Sequence, residues 1–154
     1  MKFYHGGTNK LNFGGYGHST GTGLWLTQNK DTAISYINPH ADGACLIEID
    51  VDLNKCKFIT FDYKGSSWAN PPKTKYTDCK TTDDLVRAAK KDGYDAILFK
   101  NVIDRKNRFS NKFSLQKAAQ PSTNIVITKK EQMKIVDSWS YNELENIKEE
   151  YFNY

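Results

Sequence analysis

The chain has 154 residues and a formal net charge of +4, with 38% hydrophobic, 26% charged and 13% aromatic residues. That balance fits a single soluble globular domain over residues 1–154 and excludes a disordered chain. No apolar run approaches the roughly 20 residues of a membrane span. The first residues lack the apolar stretch of a secretory signal, and three cysteines, Cys45, Cys56 and Cys79, with no CxxC pair point to reduced thiols in the cytoplasm and away from zinc.

Residues 2–4 read as a short strand ending at His5-Gly6-Gly7. Seven of the ten glycines fall between Gly6 and Gly23. Residues 6–22 have no hydrophobic period, so they read as a loop that needs close backbone approach or angles glycine adopts cheaply. Residues 23–27 predict a strand. Residues 31–37 predict a helix capped by Asp31, with Ala33, Ile34 and Ile37 on one face, ended by Asn38-Pro39. Residues 44–51 alternate and predict a strand; residues 58–61 predict another. Residues 64–80, with Pro71-Pro72, read as an irregular surface excursion. Residues 82–91 predict a helix capped by Thr82 or Asp83 and stopped by Gly93. Residues 96–99, 124–128 and 133–136 read as strands, and Ser140 caps a last helix over about 140–152. Short strands with helices inserted irregularly among them predict an α+β fold rather than a doubly wound sheet. No GxGxxG opens a helix after a strand, which argues against a Rossmann site.

The charge is unevenly spread. Residues 100–117 hold six basic residues, Lys100, Arg105, Lys106, Arg108, Lys112 and Lys117, and one acid, Asp104. Such a run is either a solvated loop or a phosphate-binding patch that would grip nucleic acid.

His5 follows a strand and precedes two glycines. A histidine there can exchange a hydrogen bond with a ribose hydroxyl, and Gly6 can offer bare backbone to an amide; taken alone, it can equally be a structural histidine near a turn. Further on, Gly23-Leu24-Trp25-Leu26-Thr27 is followed by Ala33 and Tyr36. This segment resembles the second signature of the ADP-ribosyltransferases, in the histidine-tyrosine branch that includes the poly-ADP-ribose polymerases and diphtheria toxin. Trp25 and Tyr36 lie eleven residues apart, the spacing of the polymerase-like members. Phe3-Tyr4-His5-Gly6-Gly7-Thr8 resembles the first signature, a strand ending in His-Gly. The segment from Gly93-Tyr94-Asp95 to Asn101-Val102-Ile103-Asp104, with Pro121-Ser122 and the strand after it, is similar to small phage and polyvalent-protein ADP-ribosyltransferase domains. The resemblance covers most of residues 3–136.

The resemblance implies a split sheet, with NAD as co-substrate in a cleft between two small antiparallel or mixed sheets and two to four helices around them. It implies that His5 bonds the ribose on the nicotinamide side and that Gly6, with Gly7 and Thr8 beside it, clamps the carboxamide. Tyr36 would stack on nicotinamide, and Gly23, Leu24 and Trp25 would line the same wall. The loop 14–22 would wrap the adenosine and pyrophosphate with its N–H groups. No metal is implied. The expected activity is mono-ADP-ribosyl transfer to a host macromolecule, a protein before a nucleic acid, as in phage effectors such as anti-CRISPR transferases and in bacterial toxins.

One part of the pattern is missing. The family's third signature is a glutamate at the start of a late strand, and here that place holds Asn124, or Thr123 in a shifted register. Asp104 is the nearest acid and the candidate third catalytic residue, with Asn101 beside it; a turn-forming aspartate before Arg105 is the competing reading. The missing glutamate argues against polymer formation and leaves open a non-catalytic NAD- or nucleic-acid-binding module on the same fold.

Overall fold

The computed structural model describes residues 1–104 and 120–152, with side chains described through residue 146. The fold is α+β. Among the described residues, seven strands, β1 (Lys2–Thr8), β2 (Leu24–Thr27), β3 (Ala44–Val51), β4 (Phe58–Asp62), β5 (Ala96–Val102), β6 (Ser122–Ile127) and β7 (Met133–Ser140), accompany three α-helices, α1 (Lys30–Ser35), α2 (Thr82–Lys91) and α3 (Tyr141–Phe152). They form one sheet in the order β4-β5-β6-β2-β1-β3-β7. All neighbours are antiparallel except β4 and β5, which run parallel with α2 between them in the chain.

The expectation of two separate sheets is corrected, because the two halves share a ladder. The halves, β4-β5-β6-β2 and β1-β3-β7, meet at a single residue pair, Tyr4 with Thr27. By contrast β1 pairs with β3 along its whole length, from Lys2 with Asp50 to Thr8 with Ala44. The β2-facing edge of β1 therefore has no strand partner from His5 to Thr8. The sheet is continuous but almost parted there.

Side-chain alternation sorts the core into layers. Phe3, Leu24, Leu26, Ile47, Ile49 and Ile125 pack on one face of the sheet, across both halves. The other face is divided. Over β4-β5-β6-β2, Leu85, Val86 and Ala89 of α2 pack on Phe61, Ile97, Phe99 and Val126. Over β1-β3-β7, Ala33, Ile34 and Ile37 of the α1 segment pack with Leu46, Tyr141 and Leu144. Because β3 lies between β1 and β7 under both layers, it is buried on both faces from Ala44 to Ile47.

Several boundaries move for identifiable reasons. His5-Gly6-Gly7-Thr8 belongs to β1 rather than to a loop, held by the β3 ladder. Asn29, not Asp31, caps α1, its side chain accepting the Thr32 N–H at 3.2 Å. Thr81, not Thr82 or Asp83, caps α2 through the Asp84 N–H at 3.1 Å. Ser140 does cap α3, accepting the Glu143 N–H at 3.2 Å. β7 continues to Ser140 because β3 pairs with it as far as Cys45. The three cysteines are free thiols. Among the described residues no helix is long and apolar enough to cross a membrane.

Candidate functional site

The site is built at the near-parting of the sheet. His5 leaves β1 on the same face as its partner Ile47, and its Nδ1 lies 3.1 Å from the Trp25 carbonyl oxygen on β2. A carbonyl only accepts, so Nδ1 carries the proton. Burial pushes the imidazole pKa down, and the bond to Trp25, which favours the protonated ring, offsets this only in part. The ring is thus neutral at pH 7, with the proton on Nδ1 and a lone pair on Nε2. Nε2 lies beside Gly7, where a Cβ would stand 3.2 Å from it. A side chain thereby ties β1 to β2 where the ladder has stopped, and it presents one acceptor nitrogen.

Gly6 points the other way. A Cβ built on it would lie 1.6 Å from the Ala33 carbonyl oxygen and 3.2 Å from Ile37. Only glycine lets α1 rest this closely on β1. Tyr36 closes α1 with φ −88° and ψ −4°, one residue before the Ile37 that touches Gly6. Its hydroxyl donates to Oδ2 of Asp104. Asp104 is 5% exposed and lies just past β5. The Ile103 N–H donates to the Ser66 carbonyl at 3.0 Å, and Ile103 bridges Ser67 in parallel. The irregular segment 64–80 therefore anchors the strand extension that carries Asp104.

The remaining sequence candidates fall into different places. Leu24 is buried core, and Gly23 is packed so that a Cβ would meet the Ile127 carbonyl at 2.5 Å. The Trp25 ring stacks on Phe99 at 5.8 Å and meets Trp68 edge-on at 5.5 Å, so it is a wall of the α2-side core, while its carbonyl serves His5. The Thr8 hydroxyl accepts the Lys10 N–H at 3.4 Å. Asn101 does not join Tyr36 and Asp104. It has φ +55° and its amide donates to Asp62 at 3.1 Å, on the β4 side. Lys100 is exposed on β5 opposite Asp62; Arg105, Lys106, Arg108, Lys112 and Lys117 lie outside the described residues. Asn124, in the place of the family's glutamate, is buried on β6 opposite Thr27.

In the loop 14–22, expected to wrap a pyrophosphate with its N–H groups, six of those groups bond within the loop region itself. The Gly14 N–H donates to the Asn12 side chain at 2.8 Å. Those of Gly15, Ser19, Thr20, Gly21 and Thr22 donate to carbonyls of residues 12–19. Their donors close the loop's own turns.

No protein-family model, no curated protein and no solved structure matches the chain.

The chemistry therefore rests on the residues. A neutral histidine offers an acceptor nitrogen, and a tyrosine is held by a buried carboxylate. Among the described residues no group of three His, Cys, Asp or Glu side chains is gathered as a metal ion would need. Two hollows of the described residues are lined by neither His5 nor Tyr36. One is bounded by Lys2, Asp50, Lys134 and Val136, the other by Asp62, Lys64, Pro72 and Lys73. Sequence reasoning missed Ser66 and Ser67, whose pairing with Ile103 carries no motif.

Proposed function

We propose that the protein is a mono-ADP-ribosyltransferase that moves ADP-ribose from NAD to a protein acceptor, as a phage or bacterial effector. What supports this reading is two contacts made by the three residues that the family resemblance singles out: His5 to the Trp25 carbonyl and Tyr36 to the buried Asp104. His5 is thereby locked to β2, and the Tyr36–Asp104 pair is one residue from the helix contact on Gly6. In this reading Nε2 of His5 accepts a ribose hydroxyl, the Tyr36 ring stacks on nicotinamide, and Asp104 fixes that ring and supplies negative charge near the ribose. The glycosidic C–N bond breaks and nicotinamide leaves with the bonding pair. Cationic charge builds on the ribose, where a fixed carboxylate stabilises it. The acceptor nucleophile then bonds the anomeric carbon and loses its proton.

The buried Asn124 on β6 favours a second reading, a non-catalytic NAD-binding module, because an amide cannot take a proton from an acceptor. One experiment separates them. Purified protein is incubated with labelled NAD and host lysate, and nicotinamide release and protein labelling are followed. The transferase releases nicotinamide and labels a discrete target, and both signals vanish in His5→Ala and Tyr36→Ala. NAD binding without release supports the module; absence of NAD binding ends both readings.

A further inference from the structure

Helix α2 covers the half of the sheet away from β1, yet it grips the glycine-rich loop. Arg87 Nε and Nη2 donate to the Thr20 carbonyl at 3.2 and 3.1 Å, and Nη2 also reaches the His18 carbonyl. Lys90 Nζ donates to the Gly21 carbonyl at 2.8 Å. Asp83 accepts the Ser19 hydroxyl at 2.6 Å and stands 3.5 Å from the His18 ring. Nη1 of Arg87 pairs with Asp84 at 3.0 Å, one turn back on the same helix. The carbonyls of His18, Thr20 and Gly21 thus face α2, while most of the loop's N–H groups are spent on its own turns.

The grip continues inward. The Thr22 hydroxyl donates to the Ser19 carbonyl at 2.5 Å and accepts the Trp25 indole N–H at 2.9 Å. The Trp25 carbonyl, which holds His5, belongs to β2 and is fixed by the β6 ladder as well. The loop also lies in the connection from β1 to β2, the two strands that part beside His5. A planar guanidinium suits the grip on this loop because its rigid fork spans two carbonyls at once, which a single ammonium does not.

We propose that Arg87, supported by Lys90, is a positioning residue for dinucleotide binding. It holds the loop 14–22 in place and so sets affinity for the adenosine diphosphate part of NAD, while leaving the nicotinamide side unchanged. This rests on the NAD reading above. The test measures NAD binding by calorimetry and nicotinamide binding by ligand-observed NMR, in the unsubstituted protein and in Arg87→Ala, Arg87→Lys and Lys90→Ala. Arg87→Ala weakens NAD binding about tenfold and leaves nicotinamide binding within about twofold. Arg87→Lys restores part of the loss, and Lys90→Ala shows a smaller one. Unchanged NAD affinity in Arg87→Ala overturns the proposal. Equal weakening of NAD and nicotinamide also overturns it, since that reports general damage to the fold. If the unsubstituted protein binds no NAD, the transferase reading falls first, and this proposal with it.

Discussion

Asp104 accepts the hydroxyl hydrogen of Tyr36 from 68 residues away in the chain. A phenol bonded to a buried carboxylate forms a charge-assisted hydrogen bond, roughly twice as strong as a neutral one. Tyr36→Phe removes that bond at almost constant volume. Urea unfolding is expected to show a loss of about 1–3 kcal/mol. Asp104→Asn keeps an acceptor but not the charge, so its loss is smaller. The turnover assay adds a second readout. Asp104→Asn lowers nicotinamide release more than NAD affinity if the carboxylate faces the ribose.

His5 predicts a pH dependence of stability. Its folded pKa lies below the value near 6.5 of an unfolded histidine. As pH falls through that window the unfolded chain binds the extra proton first, so stability falls as well. The contribution is complete above the unfolded pKa, is lost between it and the folded pKa, and levels off below. Urea midpoints from pH 8 to pH 5 test this; His5→Gln is expected to flatten the slope in this range.

Two glycines separate crowding from backbone conformation. Gly6→Ala drives a methyl into the Ala33 carbonyl oxygen, since a Cβ there lies 1.6 Å away. It is expected to cost about 3 kcal/mol or more and to shift α1 and Tyr36 with it. Gly17→Ala meets no atom within 4 Å but requires φ +55°. Its cost is about 1–2 kcal/mol, with nothing transmitted to α1. Thermal midpoints of the two variants, read beside Tyr36 fluorescence or NMR shifts, distinguish the mechanisms.

Gln132 is a fourth test, remote from the site. It is 1% exposed. Its carbonyl oxygen accepts the N–H groups of Thr128 and Lys129 at 3.0 and 2.9 Å, and its amide donates to the Asp95 carbonyl at 3.0 Å. Gln132→Ala removes three bonds that order the turn between β6 and β7, and about 2–4 kcal/mol of stability is expected to go with them. NAD binding should stay unchanged, because none of these groups reaches His5 or Tyr36.

Much of this architecture was legible along the chain. The alternation of residues 44–51, the amphipathic face of α2 and the Ser140 cap act locally, and they appear as expected. β1 read short because Gly6 and Gly7 look like loop. In fact Gly6 is demanded by α1 lying on the strand, a tertiary requirement with no local trace. The caps slipped by one or two residues because Asn29 and Thr81 stand next to equally plausible Asp31, Thr82 and Asp83. In the candidate site, His5, Tyr36 and Asp104 were singled out by the resemblance to the ADP-ribosyltransferases. The contact of Arg87 with the glycine-rich loop was not legible, because its partners are backbone carbonyls 67 and 69 residues away, and a carbonyl has no letter in the sequence. Nor does a glycine count show that six N–H groups of the loop 14–22 are already taken.

The thin seam at Tyr4 and Thr27 has a consequence for how the chain comes together. Neither half of the sheet is a continuous stretch of sequence: the chain passes from one half to the other between β1 and β2, between β2 and β3, between β3 and β4, and between β6 and β7. No cut of the chain releases either half whole. The two halves share one strand pair and one face of core, and the chain's covalent thread stitches them four times. The two halves must therefore be acquired together, through contacts between distant residues, which makes for slow assembly. Once assembled, the seam can widen only as far as those four connections allow.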